Sequence, residues 1–166
     1  MHQIQYFTRH GKCADDHITP NGIAELKQVR NKLDETGFIP KTVLSSTANR
    51  CIETAKVLAP DCPIKTSEEL LAFADYRYFV ENEGHTPEDA PEKWNFSNWE
   101  TALNLVLSEK PSLIVGHDSN SVILAFKLLE TQGVAIDWHN QPDIFQNLDM
   151  GCGVLVVDNT FLHLHP

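Results

Sequence analysis

The hydrophobic and polar positions along the chain follow two patterns, which take turns from one segment to the next. Short runs rich in β-formers predict strands, and longer runs with apolar residues three and four positions apart predict amphipathic helices. The predicted strands cover 3–8, 41–45, 63–66, 112–115, 153–157 and 161–164, and the predicted helices cover 20–36, 47–59, 91–110 and 119–130. Because strands and helices alternate, we expect an α/β fold with a mostly parallel sheet covered on both faces.

Two stretches add detail to this pattern. Thr19 is a favoured N-cap residue and Pro20 suits the first helical position, so the first helix should begin there and run until Gly37. Residues 70–89 mix aromatic and acidic side chains with glycine and proline and show no period. We predict a loop or a short irregular helix there, a candidate lid.

Length and composition are those of an ordinary globular protein. The 166 residues, of which 42% are hydrophobic and 22% charged, predict one domain over residues 1–166 with a substantial core. The 13 basic and 23 acidic residues give a net charge of −10, which opposes binding to nucleic acid or to an anionic membrane surface.

The sequence also bears on location and redox state. No export signal or long apolar run is visible, and four cysteines are scattered without a Cys-x-x-Cys pair. We therefore expect a cytoplasmic protein with reduced thiols that bind no metal.

Histidines and arginines follow three of the predicted strands. Arg9 and His10 follow the first, Arg50 lies just after the second, and His117 follows the strand at 112–115. The carboxyl ends of parallel strands meet at one sheet edge, so these side chains should converge. Arginine forks suit the oxygens of a phosphoryl group, and a neutral imidazole can attack phosphorus. We predict that His10 attacks, that the other three bind the oxygens, and that no metal or other cofactor is needed.

Four segments in this order resemble the histidine phosphatase (phosphoglycerate mutase-like) superfamily. They are Arg9-His10-Gly11 after a strand, 18–22 at a helix start, 45–55 around Arg50, and 114–117 at a strand end. The resemblance covers most of the chain and implies a three-layer α/β/α sandwich. It also implies that His10 is phosphorylated in a pocket formed by Arg9, Arg50 and His117.

The acid that protonates the leaving group has several candidates. Many members of this family place a glutamate after the second arginine, but Ala72 stands at that position here. Glu68, Glu69 and Asp75 lie nearby, although the two glutamates also fit ordinary charges in a first helical turn.

Asp118 is the acid that we favour. It follows His117 and resembles the histidine-aspartate motif of the acid-phosphatase branch, whose aspartate protonates the leaving oxygen. An aspartate before a helix that starts at Ser119 also fits an N-cap, and the two roles are compatible.

Three residues beside His10 complete the predicted site. Gly11 and Lys12 are expected to contact the substrate. Cys13 stands where relatives often carry serine or threonine, and it is either a small buried hydrophobic residue or a redox-sensitive thiol next to basic residues.

The short chain, with little material for a cap, resembles the compact bacterial phosphohistidine phosphatases. The predicted function is therefore hydrolysis of a phosphorylated small molecule or phosphoprotein through a phosphohistidine on His10. A mutase is disfavoured because the carboxylate-binding cap residues are lacking. The alternative is a catalytically impaired phosphate-binding or regulatory scaffold with the same fold.

Overall fold

A computed structural model describes residues 4–71, 99–137 and 149–166 of the chain, without the side chains of Trp99, Asp118 and Ser119. The strands in these ranges are β1 (Ile4–Arg9), β2 (Cys13–Ala14), β3 (His17–Ile18), β4 (Val43–Ser46), β5 (Ile64–Ser67), β6 (Leu113–Gly116), β7 (Gly153–Val157) and β8 (Thr160–Leu164). The helices are α1 (Pro20–Glu35), α2 (Asn49–Leu58), α3 (Trp99–Glu109) and α4 (Asp118–Thr131), with a 3-10 helix at Glu68–Leu70. None of these helices is long and apolar enough to cross a membrane.

Six strands form the central sheet in the order β5-β4-β6-β1-β7-β8. The first four are mutually parallel, β7 is antiparallel to β1, and β8 is antiparallel to β7. The predicted α/β class with a mostly parallel sheet is therefore confirmed. The β2–β3 hairpin was not predicted, because strands of two residues carry no recognisable period.

Side chains that alternate along the strands fill a core on each face of the sheet. Tyr6 packs in the cluster that contains Leu26 of α1 and Ala55 of α2. Its neighbour Phe7 packs in the other cluster, which contains Val106 of α3 and Phe126 of α4. Successive strand residues point to opposite faces, so β1 supplies both cores. The resulting arrangement is the expected three-layer α/β/α sandwich.

Helix α1 has the predicted start, since the Thr19 hydroxyl accepts a hydrogen bond from Gly22 N at 3.1 Å. Helix α4 departs from prediction: it begins at Asp118, and His117 occupies the N-cap position that we expected for Asp118. The predicted lid at 70–89 and the first part of the predicted helix at 91–110 fall largely on residues 72–98, outside the described ranges.

The strand register brings three chain segments to one edge of the sheet. Arg9 pairs with Gly116, and Ser45 pairs with Val115. Strands β1, β4 and β6 thus end together, and the residues that follow each strand lie at the shared carboxyl edge.

Candidate active site

His10 is held at this edge by backbone hydrogen bonds on both sides. Its N–H donates to Gly116 O at 3.0 Å, and its carbonyl accepts from Gly151 N at 2.8 Å. The residue is only 6% exposed, and its Nδ1 lies 2.9 Å from Gly11 O. A carbonyl oxygen can only accept, so Nδ1 carries the proton and Nε2 keeps its lone pair. His10 is therefore fixed in the tautomer that can attack through Nε2.

Gly11 joins the His10 loop to α2. Its N–H donates to Thr54 Oγ1 at 2.9 Å, and that hydroxyl donates to Arg50 O at 2.7 Å. A Cβ at Gly11 would lie 2.7 Å from Leu26 Cδ1, closer than side chains approach each other. The absence of a side chain thus lets this loop pack against both α1 and α2.

Arg50 and His117 are in direct contact. Arg50 Nη2 lies 3.3 Å from His117 Nδ1, and Ser46 Oγ lies 2.9 Å from His117 Nε2. Because a guanidinium only donates, Nδ1 accepts and Nε2 donates its proton to Ser46. The His117 ring meets the His10 ring edge to face, with centroids 5.5 Å apart.

Both imidazoles are neutral near pH 7. Burial lowers the pKa of His10 to about 4, and the charges of Arg9 and Arg50 act in the same direction, while the hydrogen bond to Gly11 opposes them. Burial also lowers the pKa of His117 to about 4, with further contributions from His10 and the two arginines. Arg9 is thus close enough to influence both rings. The structure brings together the four residues that the sequence predicted at this edge.

Asp16 is a member of this cluster that the sequence analysis did not identify. Its Oδ1 accepts from Arg50 Nη1 at 2.6 Å, and its Oδ2 accepts from Asn49 N at 3.2 Å. Desolvation raises the pKa of Asp16, but the contacts with Asn49 and Arg50 outweigh it, and the pKa lies below its ordinary value. The negatively charged carboxylate of Asp16 is therefore in contact with Arg50, the arginine that was predicted to bind phosphate.

The β2–β3 hairpin carries Asp16 to this position. Asp15 and Asp16 form its turn with φ angles of 48° and 65°. Glu53 of α2 holds the next strand, since its carboxylate contacts His17 Nδ1 at 2.7 Å and Ile18 N at 2.8 Å. Two adjacent aspartates between short β-segments are a signal for such a turn, because aspartate tolerates positive φ.

Lys12 forms an ion pair with Glu25 of α1. Its Nζ lies 2.5 Å from Glu25 Oε1, and its side chain borders a cavity of about 390 Å³ that Asp149, Cys152 and His165 also line. A substrate contact by Lys12 stays a prediction. Cys13 is half-buried and pairs with Ile18 in the hairpin, and its redox role likewise stays a prediction.

The candidate acids are located only in part. Asp118 is the first residue of α4, directly after His117, but its side chain lies outside the described part of the structure. Glu68 is exposed and Glu69 half-buried on the 3-10 helix after β5, at the same sheet edge. Asp75 falls outside the described residues.

Within 4–71, 99–137 and 149–166, no group of three or more His, Cys, Asp or Glu side chains is arranged to hold a metal ion. Arg9 and Arg50 place positive charge beside the two imidazoles.

Comparison with known proteins relates this geometry to a family. A sequence profile described as the histidine phosphatase superfamily (branch 1) matches residues 5–117, a range that contains Arg9, His10, Arg50 and His117. No curated protein sequence matches the chain.

Solved structures share the fold at low identity. The protein histidine phosphatase SixA complexed with tungstate has 17% identity and a TM-score of 0.59, covering 98% of this chain and 97% of that one. A phosphoserine phosphatase from Entamoeba histolytica in complex with 3-phosphoglyceric acid has 17% identity and a TM-score of 0.58, covering 95% of each chain. The alpha-ribazole phosphatase from Shigella flexneri has 17% identity and a TM-score of 0.54, covering 98% of this chain and 95% of that one. At these identities the likeness concerns the fold.

Proposed function

The chain belongs to the histidine phosphatase superfamily, and on that premise we propose that it is a metal-independent phosphatase that forms a covalent phosphohistidine on His10. The observation that carries the proposal is the neutral His10 ring, fixed by Gly11 O so that Nε2 holds a lone pair, in one cluster with Arg50 and His117. A buried nucleophile beside fixed cations is the arrangement that phosphoryl transfer requires.

The reaction takes two steps. The lone pair of His10 Nε2 attacks phosphorus, the bond from phosphorus to the leaving oxygen or nitrogen breaks, and the leaving atom takes a proton. Water then attacks the phosphohistidine, the electrons of the P–N bond return to Nε2, and inorganic phosphate forms as the water gives up a proton. The low pKa of His10 supports this role, because the attacking ring must be neutral.

Arg9, Arg50 and His117 would stabilise the charge on the phosphoryl oxygens. The two guanidiniums carry permanent charge and planar donor sets that suit such oxygens. His117 already donates from Nε2 to Ser46. A bound dianion favours the protonated imidazole, so Nδ1 would gain a proton and become a further donor to the phosphoryl group.

Asp118 is the proposed acid for leaving-group protonation. Its place directly after His117 supports the proposal, and Glu68, Glu69 and Asp75 are the alternatives. The substrate class that we propose is a small phosphomonoester or a protein phosphohistidine. A phosphoramidate has a leaving nitrogen that needs less help from a dedicated acid, which suits a chain with Ala72 where many family members have a glutamate.

The test is turnover of an aryl phosphate and of a phosphohistidine peptide with EDTA present. Wild type should turn over at least one of them and should yield an acid-labile phosphoenzyme after rapid quenching. His10→Ala should lower turnover at least about a thousandfold and abolish the phosphoenzyme. Gln28→Ala, the same truncation at an exposed position of α1 outside the cluster, is the control and should behave as wild type.

The outcomes separate the candidate functions. Turnover that EDTA abolishes would contradict metal independence, and turnover that survives in His10→Ala would contradict the nucleophile. Phosphate binding without turnover of either substrate would favour the scaffold alternative.

A further inference from the structure

Arg50, the proposed phosphate ligand, is already in contact with an anion of the chain itself. Its Nη1 donates to Asp16 Oδ1 at 2.6 Å, while its Nη2 faces His117 Nδ1 at 3.3 Å. Both terminal nitrogens therefore have partners before any phosphoryl group is present. A phosphoryl oxygen that binds the Nη1 side must meet the carboxylate there.

The Asp16 carboxylate also lies at the N-terminus of α2. The N-cap residue Ala48 has no side chain that can accept a hydrogen bond, and Asp16 Oδ2 accepts from Asn49 N at 3.2 Å instead. Backbone N–H groups at a helix N-terminus together with a guanidinium are the donors that bind a phosphate in many proteins. Asp16 thus uses donors that would otherwise be available to the oxyanion.

We propose that Asp16 is an internal competitor of the phosphoryl group for Arg50. Oxyanion binding then requires the exchange of one carboxylate oxygen for a phosphoryl oxygen at Nη1. This inference rests on the proposed function, since it takes Arg50 as a phosphate ligand. Its consequence is weak retention of the product: inorganic phosphate leaves readily because the carboxylate returns to the guanidinium.

The exchange is sterically accessible. The side chains of Asp16 and Arg50 are 39% and 29% exposed, so water can solvate the displaced carboxylate. The hairpin is fastened to α2 through Glu53, which binds His17 and Ile18 rather than the turn. We therefore expect the exchange to need only a rotation of the Asp16 side chain, with the hairpin backbone in place.

The test is the affinity for inorganic phosphate of wild type and Asp16→Asn, measured by isothermal titration calorimetry at pH 7.5 and fixed ionic strength. Asparagine tolerates the positive φ of this turn and can still accept from Asn49 N, so the variant removes the charge and keeps the shape. Asp15→Asn is the matched control: it removes one charge from the same turn at an exposed residue.

We expect Asp16→Asn to bind phosphate roughly three to ten times more tightly than wild type, the size expected for removing a partly screened like charge close to the ligand. Asp15→Asn should stay within about twofold of wild type, because an exposed charge outside the contact is largely screened. Arg50→Ala should bind phosphate more weakly than wild type.

Each contrary result identifies what has failed. If Asp16→Asn binds phosphate no more tightly than Asp15→Asn, or more weakly than wild type, Asp16 positions Arg50 and does not compete, and the inference is overturned while the proposed function stands. If Arg50→Ala leaves phosphate affinity unchanged, Arg50 is not a phosphate ligand, and its role in the proposed function fails and the inference with it. If neither wild type nor Asp16→Asn binds phosphate, removal of the carboxylate has freed no phosphate ligand, and the inference alone is overturned.

Discussion

The two ends of the parallel strands β1, β4 and β6 are built from different chemistry. At the amino ends, buried Gln5 donates from Nε2 to Pro111 O at 2.8 Å. Nearby, Ser112 Oγ accepts from Lys41 N at 2.8 Å and from Thr42 N at 3.1 Å, and it donates to Thr42 O. These partners are neutral amides, hydroxyls and backbone groups.

The carboxyl ends of the same strands hold ionisable groups instead. His10 and His117 are almost fully buried there, and burial lowers the pKa of each to about 4. Holding titratable groups out of water opposes their charged forms, and the nearby guanidiniums of Arg9 and Arg50 add to that effect. The amino edge is thus arranged for stability. The carboxyl edge keeps histidines with strongly lowered pKa values, which are typical of functional sites.

The largest predicted effect is a loss of activity in Arg50→Ala, at the carboxyl edge of the sheet. We expect kcat/KM to fall about a hundredfold to a thousandfold, because a donor to the transition-state charge is lost. The free energy of unfolding should change by less than about 1 kcal/mol, since the ion pair with Asp16 is partly exposed. Steady-state kinetics and urea unfolding would measure the two effects.

Arg30→Ala is the matched control for that variant. Arg30 has a side-chain exposure of 30%, against 29% for Arg50, and it bonds to Asp34 and Leu58 far from the imidazoles. It should lose stability and keep its activity. A loss of activity in Arg30→Ala as large as that in Arg50→Ala would mean that both act through folding.

Histidines at the carboxyl edge should also make the stability of the protein depend on pH. The folded pKa of His10 and of His117 is about 4, below the ordinary value of 6.5, so the unfolded chain binds protons first as the pH falls. Their contribution is therefore complete above pH 6.5 and is lost as the pH falls from 6.5 to 4. Urea unfolding between pH 7 and 4 should show a smaller decline for His10→Gln than for wild type. An equal decline in both would contradict the lowered pKa of His10.

The contrast between the edges also explains how far the sequence could predict the site. Four of its residues lie at or just after the ends of predicted strands, and parallel strands share a carboxyl edge. They are Arg9, His10, Arg50 and His117. Their convergence therefore follows from local pattern and a general rule of α/β sheets.

Other parts of the site depend on contacts that no local pattern encodes. Asp16 lies on a hairpin of two-residue strands and meets Arg50 across 34 positions of the chain. Ser46 meets His117 across 71 positions. The start of α4 was misplaced by one residue, because aspartate is a favoured N-cap residue and histidine is not, whereas His117 takes that position without a side-chain cap.

The smallest predicted effect is a loss of stability in Gln5→Met, at the amino edge of the sheet. Methionine has a similar shape but cannot donate, so the buried Pro111 carbonyl loses its partner and the free energy of unfolding should fall by about 1–2 kcal/mol. Because the imidazoles and Arg50 lie at the other end of the strands, kcat/KM should stay within about twofold of wild type. Gln28→Met, the same change at an exposed position of α1, is the control and should alter stability by less than about 0.5 kcal/mol. If Gln5→Met lost as much kcat/KM as Arg50→Ala, the amino edge would also shape the site. The division of the molecule into a stability edge and a functional edge would then be wrong.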